Sequence, residues 1–180
     1  MRKHTLIAAI IVLALAPWLA AQTAPEPLSL DVALAHYLAE DCGSGEPDPR
    51  GRLTAVLRFG DAAVEPLLRI VAAGPDTEIL EAAERDARDD FAASRRFLAD
   101  GGLEGLDDDL VRELAESMSE DSYVDQRVRG VDSAYRQRAL NALVELGSTG
   151  TGERLAAVAE QTEDAALREW IEEAIGRLPG

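Results

Sequence analysis

Lysine is nearly missing from this chain. Lys3 is the sole one, and every basic residue from Arg50 onward is arginine. Cysteine is scarcer than most folds use: Cys42 stands alone, so no internal disulfide can form and apolar burial must hold the fold together. There are two histidines, His4 and His36, too few for a multi-histidine zinc site. Aromatics make up 4% of the chain, so few large anchors are available to a core or an interface. No stretch of four or more residues alternates apolar and polar among β-branched types, which argues against a sheet. No P-loop, Gly-rich dinucleotide fingerprint or nucleophile elbow occurs. The longest apolar run, Leu6 to Ala21, falls short of the roughly 20 residues a membrane-spanning helix needs.

What is present begins with that run. Arg2, Lys3 and His4 form a basic start, Leu6 to Ala16 is unbroken and apolar, and Leu19-Ala20-Ala21 supplies small residues after Pro17. This is the three-part form of a secretory signal peptide, expected to span residues 1–21 and to direct the chain to the periplasm or the exterior. The next residue is Gln22 rather than cysteine, which argues against a bacterial lipid anchor. Cleavage would remove two of the 18 basic residues and none of the 34 acidic ones, leaving 16 against 34 and a formal charge of −18. With no basic stripe to offset it, that charge disfavours nucleic acid and anionic lipid as partners.

Two stretches echo each other at an offset of 87 positions. Leu53, Ala55, Gly60, Leu68, Val71 and Ala72 recur as Leu140, Ala142, Gly147, Leu155, Val158 and Ala159. The offset equals two units of about 43 residues, within the range of HEAT and armadillo repeats. Helical spacing predicts the elements around it. Residues 22–28 form a flexible lead-in. Leu30, Ala33, Leu34, Tyr37 and Leu38 mark a first helix, capped by Ser29. A loop follows at Gly43 to Pro49, with Cys42 beside it. Short helices flank Gly60, and Pro66 falls in the first turn of the second, where it is tolerated. Thr77 to Ala99 reads as one long helix with Ile79, Leu80, Ala83, Ala87, Phe91, Ser94 and Leu98 on one face. Gly101, Gly102 and Gly105 break the chain before a stripe from Leu110 to Met118. Glu120 to Asp132 shows no clear period. From about Ser133 the first pattern returns, and Leu167, Trp170, Ile171, Ala174, Ile175 and Leu178 close the chain with a strongly amphipathic helix. The expectation is an all-α fold of about seven helices in antiparallel pairs, stacked as an α-solenoid over residues 29–180, with an irregular middle at 77–132.

Two segments carry a resemblance. Arg52 to Val71, with its helix-ending Gly60 followed by Ala63-Val64-Glu65-Pro66-Leu67-Leu68, resembles a HEAT-like repeat of the type also found in phycobilisome lyases. Asp164 to Leu178, with its acidic entry, Leu167-Arg168 and Ala174-Ile175-Gly176-Arg177-Leu178, resembles the first helix of a following unit. The likeness covers about Pro49 to Gly74 and Arg136 to Leu178. It implies a HEAT-repeat solenoid and a protein-binding role. The motif is made of packing residues and contains no catalytic position, so no lyase residue carries over.

The polar residues give no catalytic, cofactor-binding or metal site. His36 is the single histidine beyond residue 21, and it reads as a surface position on the first helix. Asp107-Asp108-Asp109 lacks the alternation of an EF-hand loop and suits a helix start instead. Asp121 to Asp125 is no stronger as a calcium site. Trp170 falls in step with Leu167 and Ile171, as a core residue would. The expected function is a non-catalytic protein–protein interaction scaffold acting outside the cytoplasm, needing no cofactor and not inserted in a membrane after cleavage. Arg69, Arg112 and Arg154 are candidate donors to an acidic partner segment. The alternatives are an enzyme or accessory subunit drawing carboxylates from Glu120–Asp132, and a calcium-dependent structural protein.

Overall fold

A computed structural model describes residues 28–39, 49–100 and 119–179, with Glu113 and Ser117. The expected signal peptide, most of the lead-in, Cys42 and its loop, the Gly101–Gly105 break, Asp107–Asp109 and the Leu110–Met118 stripe with Arg112 lie outside the described residues. Those that are described contain seven α-helices and no strand. They are α1 (Leu30–Leu38), α2 (Pro49–Leu57), α3 (Val64–Ala73), α4 (Thr77–Ala99), α5 (Glu120–Leu146), α6 (Thr151–Gln161) and α7 (Ala165–Arg177). A short 3₁₀ turn, Gly60–Ala63, joins α2 to α3.

Local chemistry accounts for most helix ends. Ser29 Oγ accepts from the Val32 backbone N–H at 3.3 Å and opens α1. Asp164 Oδ1 accepts from Ala166 and Leu167 N–H at 2.9 and 3.2 Å and opens α7. Gly60 and Gly147, partners in the 87-residue echo, end α2 and α5 with φ of +53° and +58°, the left-handed region open to glycine. Pro66 is the third residue of α3, where its missing N–H costs nothing.

The echo is spatial as well as sequential. Val56 and its counterpart Leu143 are both fully buried, Leu68 and its counterpart Leu155 are both buried, and all four belong to one core. The repeated turns touch: Ser148 Oγ donates to Asp61 Oδ1 at 2.6 Å, and 61 and 148 are themselves equivalent positions. Arg154 on α6 pairs with Glu65 on α3. The two copies are therefore immediate neighbours. The expected intervening unit is not between them. The chain from Thr77 onward instead leaves the pair along α4 and returns along α5, and these two helices pack extensively on each other.

The sequence reading of Glu120–Asp132 needs correction, because this stretch is helical. It is the N-terminal half of α5, which runs unbroken for 27 residues, about 40 Å. Ser119 caps it by accepting from Ser122 N–H at 3.4 Å. Val124, Val128, Val131 and Tyr135 do recur at helical spacing, but one apolar residue per turn among charged neighbours, with Gly130 in their midst, makes a faint stripe. Val124, like Ala87 and Phe91 of α4, is buried but lies outside the main core, and the Phe91 ring lies 5.7 Å from that of Tyr123. Farther along, α5 contributes Ala139, Leu140, Ala142 and Leu143 to the core formed with α1, α2 and α3. Ser94, expected on the inner face of α4, is exposed.

Helix ends inside this assembly need donors for their free carbonyls, and arginine supplies them. Arg136 on α5 donates from Nη1 to Val71 O at 2.6 Å and Ala72 O at 3.1 Å, closing α3. Its Nε donates to both carboxylate oxygens of Asp132, one turn back, at 3.0 and 2.9 Å. Arg138 donates to Leu38 O at 2.5 Å, closing α1, while Tyr37 Oη donates to Arg138 O at 3.1 Å. Arg168 closes α6 through Ala159 O and Thr162 O at 3.3 and 2.7 Å. Gly74 lets the Asp132–Arg136 pair approach. Its φ is +78° with ψ of −168°, and a Cβ there would lie 2.3 Å from Asp132 Oδ1.

Thr151 holds the one buried side-chain polar atom without a partner among the described residues. Its repeat counterpart is Val64, also buried, so the site is shaped for two methyl groups. Two stability predictions follow from these contacts, both read by urea denaturation. Gly74→Ala should lose about 1–3 kcal/mol through backbone strain and displacement of the ion pair. Thr151→Val should gain about 1 kcal/mol by removing an unsatisfied hydroxyl at constant shape.

Candidate functional site

Four helices, α1, α3, α4 and α5, border a concavity. Its floor is apolar and small. Ile79 and Tyr135 lie at its middle with Ala39, and these three residues border two adjoining cavities of about 560 and 480 Å³. The larger lies between α1 and α3, bordered by Leu34, Leu38, Pro66 and Ile70. The smaller lies between α4 and α5, bordered by Ala82, Ala83 and Val131. Together they make one groove along α4.

The rim is acidic. Asp86, Asp89 and Asp90 of α4 stand along one cavity, with Arg127 of α5 across from them and 3.9 Å from Asp90. Asp31 and Asp76 border the other, with Arg69. Five carboxylates thus face two guanidiniums. Asp86, Asp89 and Asp90 of α4 edge the groove because α5 covers α4 on only part of its circumference.

Tyr135 is the central side chain. It is 8% exposed and borders both cavities. Burial raises its pKa above the usual tyrosine value; the nearby Arg138 charge works against that rise and Asp76 adds to it. Tyr37 is raised likewise by burial, with Arg138 opposing and Glu145 adding. Nothing in the sequence singled out Tyr135. Its place in the Val124–Val128–Val131 stripe was a signal for burial, and the gap beside it arises only when α1, α3 and α4 converge.

The other sequence candidates fall elsewhere. His36 is exposed in the last turn of α1, and its backbone carbonyl accepts from Arg52 at 3.4 Å. Trp170 is half-buried against the core and borders a separate hollow of about 240 Å³ with Gln137 and Arg177. Arg154 is engaged with Glu65, so it is not the unattached donor expected of it. Of the two proposed arginines that are described, Arg69 stands at the groove. In the Glu120–Asp132 stretch, Asp125 pairs with Arg129 one turn on and Asp132 with Arg136, so these carboxylates serve the helix itself. No group of three or more His, Cys, Asp or Glu among the described residues is placed to hold a metal ion. No described helix is long and apolar enough to cross a membrane.

No family model, curated protein or solved structure matches the chain.

The buried tyrosines make stability depend on alkaline pH. A folded-state pKa raised above the unfolded value, near 10, gives a contribution that is whole below pH 10 and lost as pH rises through the folded value. Thermal melts in this range should show a falling Tm, and Tyr135→Phe should make the fall shallower. An unchanged slope would mean that Tyr135 ionises alike in both states.

Proposed function

We propose that this chain is an exported, HEAT-like α-solenoid that acts as a non-catalytic scaffold for another protein. The single observation carrying the reading is the groove: an apolar floor with a charged rim, formed where paired helices stack and left uncovered by the described residues. Repeated helix pairs that lie side by side support the solenoid form, since each buries the apolar face its neighbour cannot bury alone. The match of Gly60 with Gly147, in position and in backbone conformation, supports a HEAT-like unit. Export is supported by the basic, apolar and small-residue segments of residues 1–21. The acidic composition agrees with a soluble protein partner and disagrees with nucleic acid.

The structural devices named above concern folding rather than chemistry. Arginines close helices, carboxylates hold arginines, and glycines permit turns. A scaffold needs a rigid surface of this kind and no reacting group.

Two measurements test the reading in the native host. A C-terminally tagged full chain should fractionate outside the cytoplasm and lack residues 1–21 by intact mass. Cross-linking in that compartment should recover a defined protein partner at stoichiometric yield. A cytoplasmic, uncleaved chain would overturn export, and recovery of no partner above background at several salt concentrations would overturn the scaffold.

A further inference from the structure

We propose that the α4 groove receives a cationic amphipathic helix from the partner protein, apolar side down and Lys or Arg side chains over the aspartates. This rests on the scaffold reading and goes past it by naming the surface and the chemistry of what it holds.

The dimensions suit one helix. From Asp76 to Asp90 the groove follows α4 for about 21 Å, the length of four helical turns. Ala39, Ala82 and Ala83 leave the middle of the floor low, so a second backbone can come near α4, and helices approach to 8–10 Å according to the side chains between them. Leu34 and Ile70 deepen one end for a large apolar residue, and Val131 does so at the other. Anchors at i, i+3 or i+4, and i+7 match such a floor.

Charge selects the sign of the occupant. Five carboxylates against two guanidiniums, on a chain of net charge −16, repel an acidic helix and a second copy of this protein. A cationic helix meets Asp86, Asp89 and Asp90 along one edge and Asp31 and Asp76 at the far end. Tyr135 borders both cavities and joins the two ends of the floor.

The test uses the full purified protein and a fluorescein-labelled 18-residue Leu/Lys amphipathic peptide, with a Leu/Glu peptide as its charge-reversed counterpart. Anisotropy at physiological salt should show saturable binding of the Leu/Lys peptide and none of the Leu/Glu peptide. Asp86→Asn with Asp89→Asn should weaken binding roughly fivefold, as expected for two exposed charge contacts. Glu169→Gln with Glu172→Gln makes the same change of net charge on exposed positions of α7 and should leave binding within about twofold. Ala83→Arg, which fills the floor, should abolish it. Circular dichroism melts would verify that each variant folds. Equal weakening by the two charge pairs would mean attraction by net charge alone and overturn the groove. So would saturable binding unaffected by Ala83→Arg, or no saturable binding. A concentration-dependent dimer lost in Ala83→Arg would assign the groove to a second copy and overturn the cationic helix. Cross-linking of the native partner separates this inference from the scaffold reading. A partner still captured by Ala83→Arg and by the Asp86/Asp89 variant leaves the scaffold standing and removes the groove, whereas no partner for the wild type removes the scaffold itself.

Discussion

Helices that end inside a protein leave carbonyl oxygens with no intrahelical donor, and burying them unpaired is expensive. Much of this structure depends on how that constraint is met. One helix, α5, carries the donors for two of its neighbours: Arg136 reaches the end of α3 and Arg138 the end of α1. Their guanidiniums donate to three carbonyls at the junction of α1, α3 and α5, and the Tyr37 hydroxyl adds a bond to the Arg138 backbone carbonyl. A planar, permanently charged group with several donors suits this work better than an ammonium, and a chain whose only lysine is Lys3 has arginine at each such position.

The same contact shapes the groove. Arg136 is held by Asp132, and the pair can lie against the chain only because residue 74 has no side chain. Gly74 and Pro75 turn the chain at that point and send α4 away beside α5. The turn leaves Ile79 and Tyr135 at the bottom of a space that α1, α3, α4 and α5 border but do not fill. A structural ion pair and an open binding surface are therefore two sides of one junction. The acidic residues divide accordingly: Asp132 is spent inside, while Asp86, Asp89 and Asp90 remain at the rim.

The internal echo has a different physical meaning in three dimensions from the one its length suggests. An offset of two unit lengths implies a third unit in between. The equivalent turns instead hydrogen-bond to each other, Asp61 to Ser148. Repetition of packing residues records that two helix pairs have the same shape; it carries no information on how far apart they stand. Thr151 illustrates the imperfect copy, a threonine in the place where the other unit buries Val64.

Local and periodic features were legible in the sequence because their causes are local. The caps at Ser29 and Asp164, the left-handed glycines, the tolerated Pro66 and the span of α4 each follow from residues within a turn or two of the feature. The all-helical class follows from apolar spacing. The continuity of α5 was obscured because its first half buries a single residue per turn and its other side is charged. Neither the neighbouring of the two copies nor the groove could be read from one chain. Arg136 meets Val71 from 65 positions away and Tyr37 meets Arg138 across 101, and the void above Tyr135 exists only between helices. Periodicity says which side of a helix turns inward. Which partner it meets, and where the partners fail to meet, is decided only when the helices pack.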